Sequence, residues 1–293
     1  MNSIPVPKKT DHLPSLPAGL STNDSEYMQA AMFWRDLGFN VIPGRAKAEM
    51  VRGKLKKAKT PHVNWGNYSG PGCKRIRAEQ AEEWDRKWPD AIPLLLVDSG
   101  IYFRLVVVDA DDPLLNPWVE VQFGVTPFQV STGRDGGGTH HYYLAPPEGV
   151  SGWNGMIGPE QMVKTWDYTI DANGKVDRAK GWGRYALDVK AKGNYVVAPG
   201  ARHATGRRYL PGVTLESLTA GWLFSHLPVF NNQKYRALGV EAADLRHIHE
   251  MAIQEEVRKR FPRAVVPLLS PGSTVSGLTE EPFVKWCEDN ACQ

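Results

Sequence analysis

The segment RLVVVDAD, from Arg104 to Asp111, constrains the fold more than any other stretch of the chain. A β-branched run bounded by polar residues reads as a short strand. Alternate side chains of a strand share a face, so Asp109 and Asp111 point one way and Ala110 the other. Two carboxylates held side by side repel each other unless a cation lies between them. Carboxylate oxygens suit hard divalent ions such as Mg²⁺ and Mn²⁺, which makes the strand end a metal platform. The competing reading is an Asp pair that caps a turn, since Asp112-Pro113 has the chemistry of a turn start.

The surrounding sequence frames that strand. A helix is expected over 24–37, capped by Asp24 or Ser25, with Ala30, Trp34 and Leu37 at helical spacing and Gly38 at C′. Phe39 to Ile42 then reads as a strand stopped by Pro43, and the basic stretch 45–59 as a loop or hairpin. A second helix is expected over 77–88, with Trp84 and Trp88 stacked one turn apart. Phe128–Ser131 and His140–Leu144 read as strands around the glycine-rich turn TGRDGGG. Residues 145–183 form a long excursion with a hairpin near Asp171–Gly174. Tyr185–Val189 and Tyr195–Ala198 suggest a hairpin around Lys192-Gly193-Asn194, and helical spacing returns over 241–262. The pattern is α+β: a mostly antiparallel sheet with packed helices, then a small C-terminal helical region. Three parts are expected: a flexible tail over 1–23, a main domain over 24–230 and a helical region over 231–293.

Composition narrows the class. No apolar run approaches the roughly 20 residues that cross a bilayer. The opening MNSIPVPKKTDHLPSLPAGLS lacks the apolar stretch of a secretory signal. A soluble cytoplasmic protein with no membrane partner is the expectation. Cys73, Cys287 and Cys292 are scattered and odd in number, which fits a reducing compartment and gives no disulfide framework. The last two lack a second nearby pair to complete a zinc site. A net charge of +3 says little, but its clustering says more. Segment 45–58 carries six Lys or Arg against one Glu, and 202–208 adds three Arg and a histidine. Each is either a solvated face or a polyanion contact.

Further chemistry lies downstream. Leu187-Asp188-Val189 sets a third carboxylate within an apolar strand, where burial without a partner is costly. One reading is a salt bridge to Lys190 on the same face. The other is a two-metal centre for phosphoryl transfer, its ions typically about 3.5–4 Å apart. The glycine-rich turn leaves backbone N–H groups free to approach phosphates, and Arg134 offers a bidentate guanidinium. Such turns are also often only turns. His140 and His141 are adjacent, so on a strand they face opposite sides and do not readily share one metal. One should face the site, and His141 shares a face with Tyr143. His203, in the Gly- and Arg-rich loop VVAPGARHATGRRY, suits either a triphosphate contact or an ordinary surface position.

In order, these elements resemble the bifunctional primase–polymerase (prim-pol) domain of the archaeo-eukaryotic primase superfamily. Its motifs are Asp-x-Asp on one strand, small-x-His on a second and an acidic residue on a third. Here they resemble Asp109-Ala110-Asp111, Thr139-His140-His141 and Asp188, with His141 taken as the motif histidine because HYYL best fits its pattern. The flanks are similar too: Leu37-Gly38, Val41 and Pro43, then Lys59, Pro61 and Trp65. Pro199 to Tyr209, with His203 and Gly206, resembles the family's Pro-Pro-Ser-x-His-x-x-Gly-x-x-Tyr, but with Gly200 and Ala201 replacing Pro and Ser. The resemblance covers about residues 26–210, and the 145–183 excursion is longer than in the family's compact form.

This resemblance implies an RRM-like sheet and template-directed DNA primase and DNA polymerase activity by a two-metal mechanism. NTP or dNTP would be used on a single-stranded DNA template, as in phage or plasmid replication proteins within a bacterial host cell. Asp109, Asp111 and Asp188 would ligate Mg²⁺ or Mn²⁺, while Arg134, His141, His203 and Lys59 would contact the nucleotide phosphates. Segment 45–58 and aromatics of 145–183 would grip nucleic acid. The chain has no Walker A motif, so a helicase would lie on a further part of a longer protein or on a partner. Two other readings compete. HHYY suggests a replication-initiation nuclease with a tyrosine nucleophile, which needs both histidines on one face. A non-catalytic single-stranded DNA-binding module would have no need of three carboxylates.

Overall fold

In the computed structural model, which describes residues 25–51, 53–157, 167–172, 176–180, 187–203 and 205–260, the chain opens with helix α1 (Glu26–Asp36). The tail over 1–23, Cys287 and Cys292 lie outside the described residues. Ser25 caps α1, its hydroxyl accepting from Met28 N–H at 3.0 Å. At the other end Gly38 takes φ +90° and donates to the Arg35 carbonyl, closing the helix as a glycine at C′ should. Tyr27, Ala31 and Trp34 recur at helical spacing and are the buried face.

The expected α+β class is what the chain adopts, and every pairing between named strands is antiparallel. In chain order the strands are β1 (Val41–Gly44), β2 (Glu49–Val51), β3 (Lys54–Lys56), β4 (Ile92–Leu96), β5 (Leu105–Ala110), β6 (Gln129–Ser131) and β7 (Thr139–Leu144). They continue with β8 (Trp153–Ile157), β9 (Asp167–Ile170), β10 (Val176–Lys180), β11 (Leu187–Lys190), β12 (Tyr195–Val197) and β13 (Leu210–Pro211). The main sheet runs β13-β6-β7-β5-β11-β8 and a smaller one β1-β4-β12, with β2–β3 and β9–β10 as separate hairpins. Helices α2 (Ala78–Lys87), α3 (Asn116–Phe123), α4 (Ala220–His226) and α5 (Asn232–Arg260) complete the elements used below.

Strand β5 is covered on both faces, which is why its sequence reads as a continuous apolar run. Leu105 and Val107 enter a core with Trp34, Leu95 and Tyr142. Val106, Val108 and Ala110 enter a second core with Phe123, Leu187, Phe230 and Tyr235. Each core is built from several elements, so β5 is fixed in two directions at once. Helix α5 starts well before the expected 241 because Tyr235 seats in the second core and donates to the Ser151 carbonyl at 2.8 Å.

Three expectations on local structure are corrected. Pro43 does not stop β1, which pairs with β4 through Gly44; on an edge strand the missing N–H breaks no ladder bond. Trp88 stacks on His62, with centroids 4.8 Å apart, and Trp84 meets Tyr68 edge-on, so the two tryptophans have separate partners. Finally, β11 and β12 are not a hairpin. A tight turn does form, Asn194 N–H donating to Ala191 C=O at 3.0 Å, but β11 then belongs to the main sheet and β12 pairs with β4. Leu187 and Val189 bury in the second core and Val196 and Val197 in the first, so the turn carries the chain between sheets.

Candidate active site

Register across the main sheet sets Val130, His140, Asp109 and Asp188 in one row over β6, β7, β5 and β11. Directly opposed residues of antiparallel strands project from the same face. Asp111 follows just past the end of β5. Asp109, Asp111, His140, Thr132 and Arg134 line a cavity of about 400 Å³ with Lys59, Asp135, His203, Thr205 and Tyr209. Asp188 stands beside Asp109 in the row, outside that lining.

Each expected metal ligand faces a basic side chain of the protein. Asp109 Oδ1 lies 3.4 Å from His140 Nε2, Asp188 Oδ2 is 2.5 Å from Lys190 Nζ, and Asp111 pairs with Arg134. Burial works against the charge on Asp109, but His140, Lys190 and Arg134 outweigh it and hold the carboxyl below its ordinary range. Across the cavity Lys59 donates to the Tyr209 hydroxyl at 3.0 Å. Its ammonium is pulled down mainly by burial, against the attraction of Asp109 and with the repulsion of Arg134. Lys59 is also the one non-glycine residue with positive φ, +62°, among the described residues. Strained backbone of this kind concentrates at functional sites. His203 accepts from Thr205 N–H at 3.2 Å, and burial lowers its pKa.

The expectation that His141 faces this cavity is overturned. His141 is fully buried on the opposite side of the sheet, its Nε2 3.1 Å from Asn116 Oδ1. Asn116 also donates to Thr139 Oγ1, so the pair ties the start of α3 to β7. The cavity histidine is His140. Strand alternation leaves only one of two adjacent residues for either face, and pairing of His140 with Asp109 decides which. The small-x-His motif therefore reads Gly138-Thr139-His140. Gly138 is small for a physical reason: at φ +152°, a Cβ there would come within 2.6 Å of Thr132 Oγ1.

Burial, reinforced by His140, lowers the His141 pKa from 6.5 to about 4. The unfolded chain therefore takes up the proton first as pH falls. Neutral His141 contributes its full stability above pH 6.5 and loses it progressively toward about pH 4, with a ceiling of about 3 kcal/mol. His141→Gln keeps a donor for Asn116 and removes the titration. Chemical denaturation of this variant should show a flatter stability profile over that window; an unchanged slope would place the acid sensitivity elsewhere.

Thr132, Tyr209, Asp135 and Thr205 complete the lining and went unassigned from sequence, although Tyr209 closes the His203 segment. Tyr142 and Tyr143 are fully buried, with their phenols held protonated above the ordinary range chiefly by burial. Neither has the exposure a tyrosine nucleophile requires, and the two histidines face apart, so the nuclease reading loses its basis.

Carboxylates on one face of an antiparallel sheet, beside a cavity lined with Lys59, Arg134 and His203, suit an enzyme of the nucleotidyltransferase type. The chain belongs to the family of bifunctional DNA primase/polymerase N-terminal domains, whose family model matches residues 30–218. That supports DNA primase/polymerase function in general, and the family is typically metal-dependent. A comparison with curated proteins finds no match.

The residues suit a divalent cation in chemistry. Asp109 Oδ1 is buried with His140 Nε2 at 3.4 Å but not in good hydrogen-bond geometry, and Thr132 Oγ1 and His140 Nδ1 are buried without a hydrogen bond; such under-satisfied atoms are rare in folded proteins. The donors are hard oxygens on one face. As the side chains stand, no three His, Cys, Asp or Glu among the described residues are gathered closely enough for an ion. Arg134 pairs with Asp111 and Lys190 with Asp188. No described helix is long and apolar enough to cross a membrane.

Proposed function

We propose that this chain carries out template-directed nucleotidyl transfer, as a DNA primase and polymerase, with Asp109, Asp111 and Asp188 as ligands of Mg²⁺ or Mn²⁺. The observation that carries this reading is the row of His140, Asp109 and Asp188 beside a cation-lined cavity. When bound, two such ions supply the charge that favours attack by a 3′-hydroxyl and loss of pyrophosphate. The protein's own part is positioning. His140 keeps Asp109 ionised, and Lys190 holds Asp188. Lys59, Arg134 and His203 present positive or hydrogen-bonding groups to the triphosphate, with His140 replacing His141 in that set.

Residues 24–230 form the catalytic unit in this proposal, with 231–293 as an appended helical region whose Tyr235 and Leu238 pack against the second core. A phage or plasmid replication context, with a helicase on a longer protein or a partner, belongs to the same reading. The test is incubation with single-stranded DNA template, labelled NTP or dNTP and Mn²⁺ or Mg²⁺, with and without primer. Metal-dependent incorporation is expected. Strand binding of equal strength with and without metal, and no incorporation, would identify a binding module instead.

A further inference from the structure

Glu26, in the first turn of α1, lies upstream of residue 30, where the match to the family model begins. Its carboxylate accepts from the Arg202 backbone N–H at 3.1 Å and from Arg202 Nε at 2.9 Å, and Arg208 Nη2 stands 3.1 Å away. The two arginines oppose each other across a short antiparallel pair formed by 200–203 and 207–209. His203 N–H donates to the Arg207 carbonyl at 2.6 Å, and Tyr209 N–H to that of Ala201 at 2.8 Å. Side chains alternate along such a pair. Arg202 and Arg208 reach α1, while His203 and Tyr209, their immediate neighbours in the chain, line the cavity. The two rings lie 5.9 Å apart, and the Tyr209 hydroxyl accepts from the Lys59 ammonium at 3.0 Å. Thr205 donates to the Gly133 carbonyl at 2.8 Å and Arg207 pairs with Asp135 at 3.4 Å, so the segment is also tied to the glycine-rich turn.

We propose that Glu26 is a positioning residue of the cavity: it fixes the strand pair that presents His203, Tyr209 and, through Tyr209, Lys59. This role rests on the reading of that cavity as a nucleotide site. The anchor itself is firmly held. Ser25 caps the helix just before Glu26, and Tyr27 just after it is fully buried, its hydroxyl donating to the Val41 carbonyl at 3.3 Å. A carboxylate at a helix N-terminus is favoured by the dipole, and charge-assisted bonds to a backbone N–H and two guanidiniums fix direction as well as distance. Exposed ion pairs stabilise a fold little, and Arg202 is 59% exposed. The contact therefore matters more for geometry than for stability, since a displacement of about 1 Å can cost an active site up to about a hundredfold in rate.

The test is steady-state primer extension by Glu26→Gln in the full chain, over a series of dGTP concentrations with Mn²⁺, paired with the NMR signal of the His203 ring. Loss of the charge should raise KM for dGTP about tenfold and leave kcat within about twofold. The His203 signal, identified by its absence from His203→Ala, should shift. Glu255→Gln, which breaks an exposed pair with Lys259 on α5, should move neither readout. Combined with His203→Ala, the loss should be smaller than the product of the two single losses, because both changes act through one group. A normal KM with an unmoved His203 signal overturns the role, as does a loss confined to melting temperature or one that multiplies in full with that of His203→Ala. If the His203 signal shifts but the wild type incorporates no nucleotide, the anchor stands and the cavity reading falls. If the wild type is active and Glu26→Gln matches it in KM and spectrum, the reverse holds.

Discussion

Asp109→Asn should lower nucleotide incorporation by about a thousandfold while the chain stays folded. Asparagine keeps the shape of the side chain and removes its charge. Asp109 sits at the middle of the row, opposed by His140 on one side and Asp188 on the other. It is also the carboxylate with a buried oxygen, which faces His140 Nε2 at 3.4 Å. Loss of its charge therefore removes the one anion shared by both halves of the proposed metal site. The fold should tolerate it, because the strand's stability comes from Val106, Val107 and Val108 in two cores. Single-turnover primer extension at saturating Mn²⁺, with circular dichroism alongside, reads both effects. Extension at wild-type rate would sink the metal-ligand assignment, whereas a collapsed spectrum would show Asp109 to be structural.

Neighbouring histidines should fail in different ways. His140→Ala removes the group that faces Asp109 and lines the cavity, and kcat/KM should fall about a hundredfold at little cost in stability. His141→Ala leaves Asn116 Oδ1 without its partner and a void beneath α3, costing about 2–4 kcal/mol of stability. Activity per folded molecule should survive that change. Thermal melts and steady-state kinetics on both variants separate the two. The opposite pattern would return the motif histidine to His141 and contradict the strand register.

Much of this arrangement was legible in the sequence because it depends on local periodicity. Val106 to Val108 announce a buried strand, and Asp109 and Asp111 share a side by the pleat alone. Ser25 and Gly38 mark the ends of α1 through cap chemistry. The choice between His140 and His141 was not local: it depends on which residue of β7 lies opposite Asp109, and strand pairing is set by tertiary packing. Resemblance to a motif could slide by one residue; the pleat could not. The same limit hid the separation of β11 from β12, since the turn at Ala191–Asn194 looks like any hairpin turn. Tyr209 was visible in the sequence, but the hydrogen bond that ties Lys59 to it joins distant segments.

In the row of Val130, His140, Asp109 and Asp188, only Val130 and His140 meet across a local turn, while Asp109 meets His140 and Asp188 across about thirty and eighty residues of chain. During synthesis Asp109 leaves the ribosome long before β11 can dock beside it. If the proposed metal site is right, a nascent or partly folded chain has no complete centre, since pairing over such sequence separation forms late and slowly. On that proposal, catalytic competence and completion of the central sheet are a single event, which keeps an unfinished chain from acting on DNA.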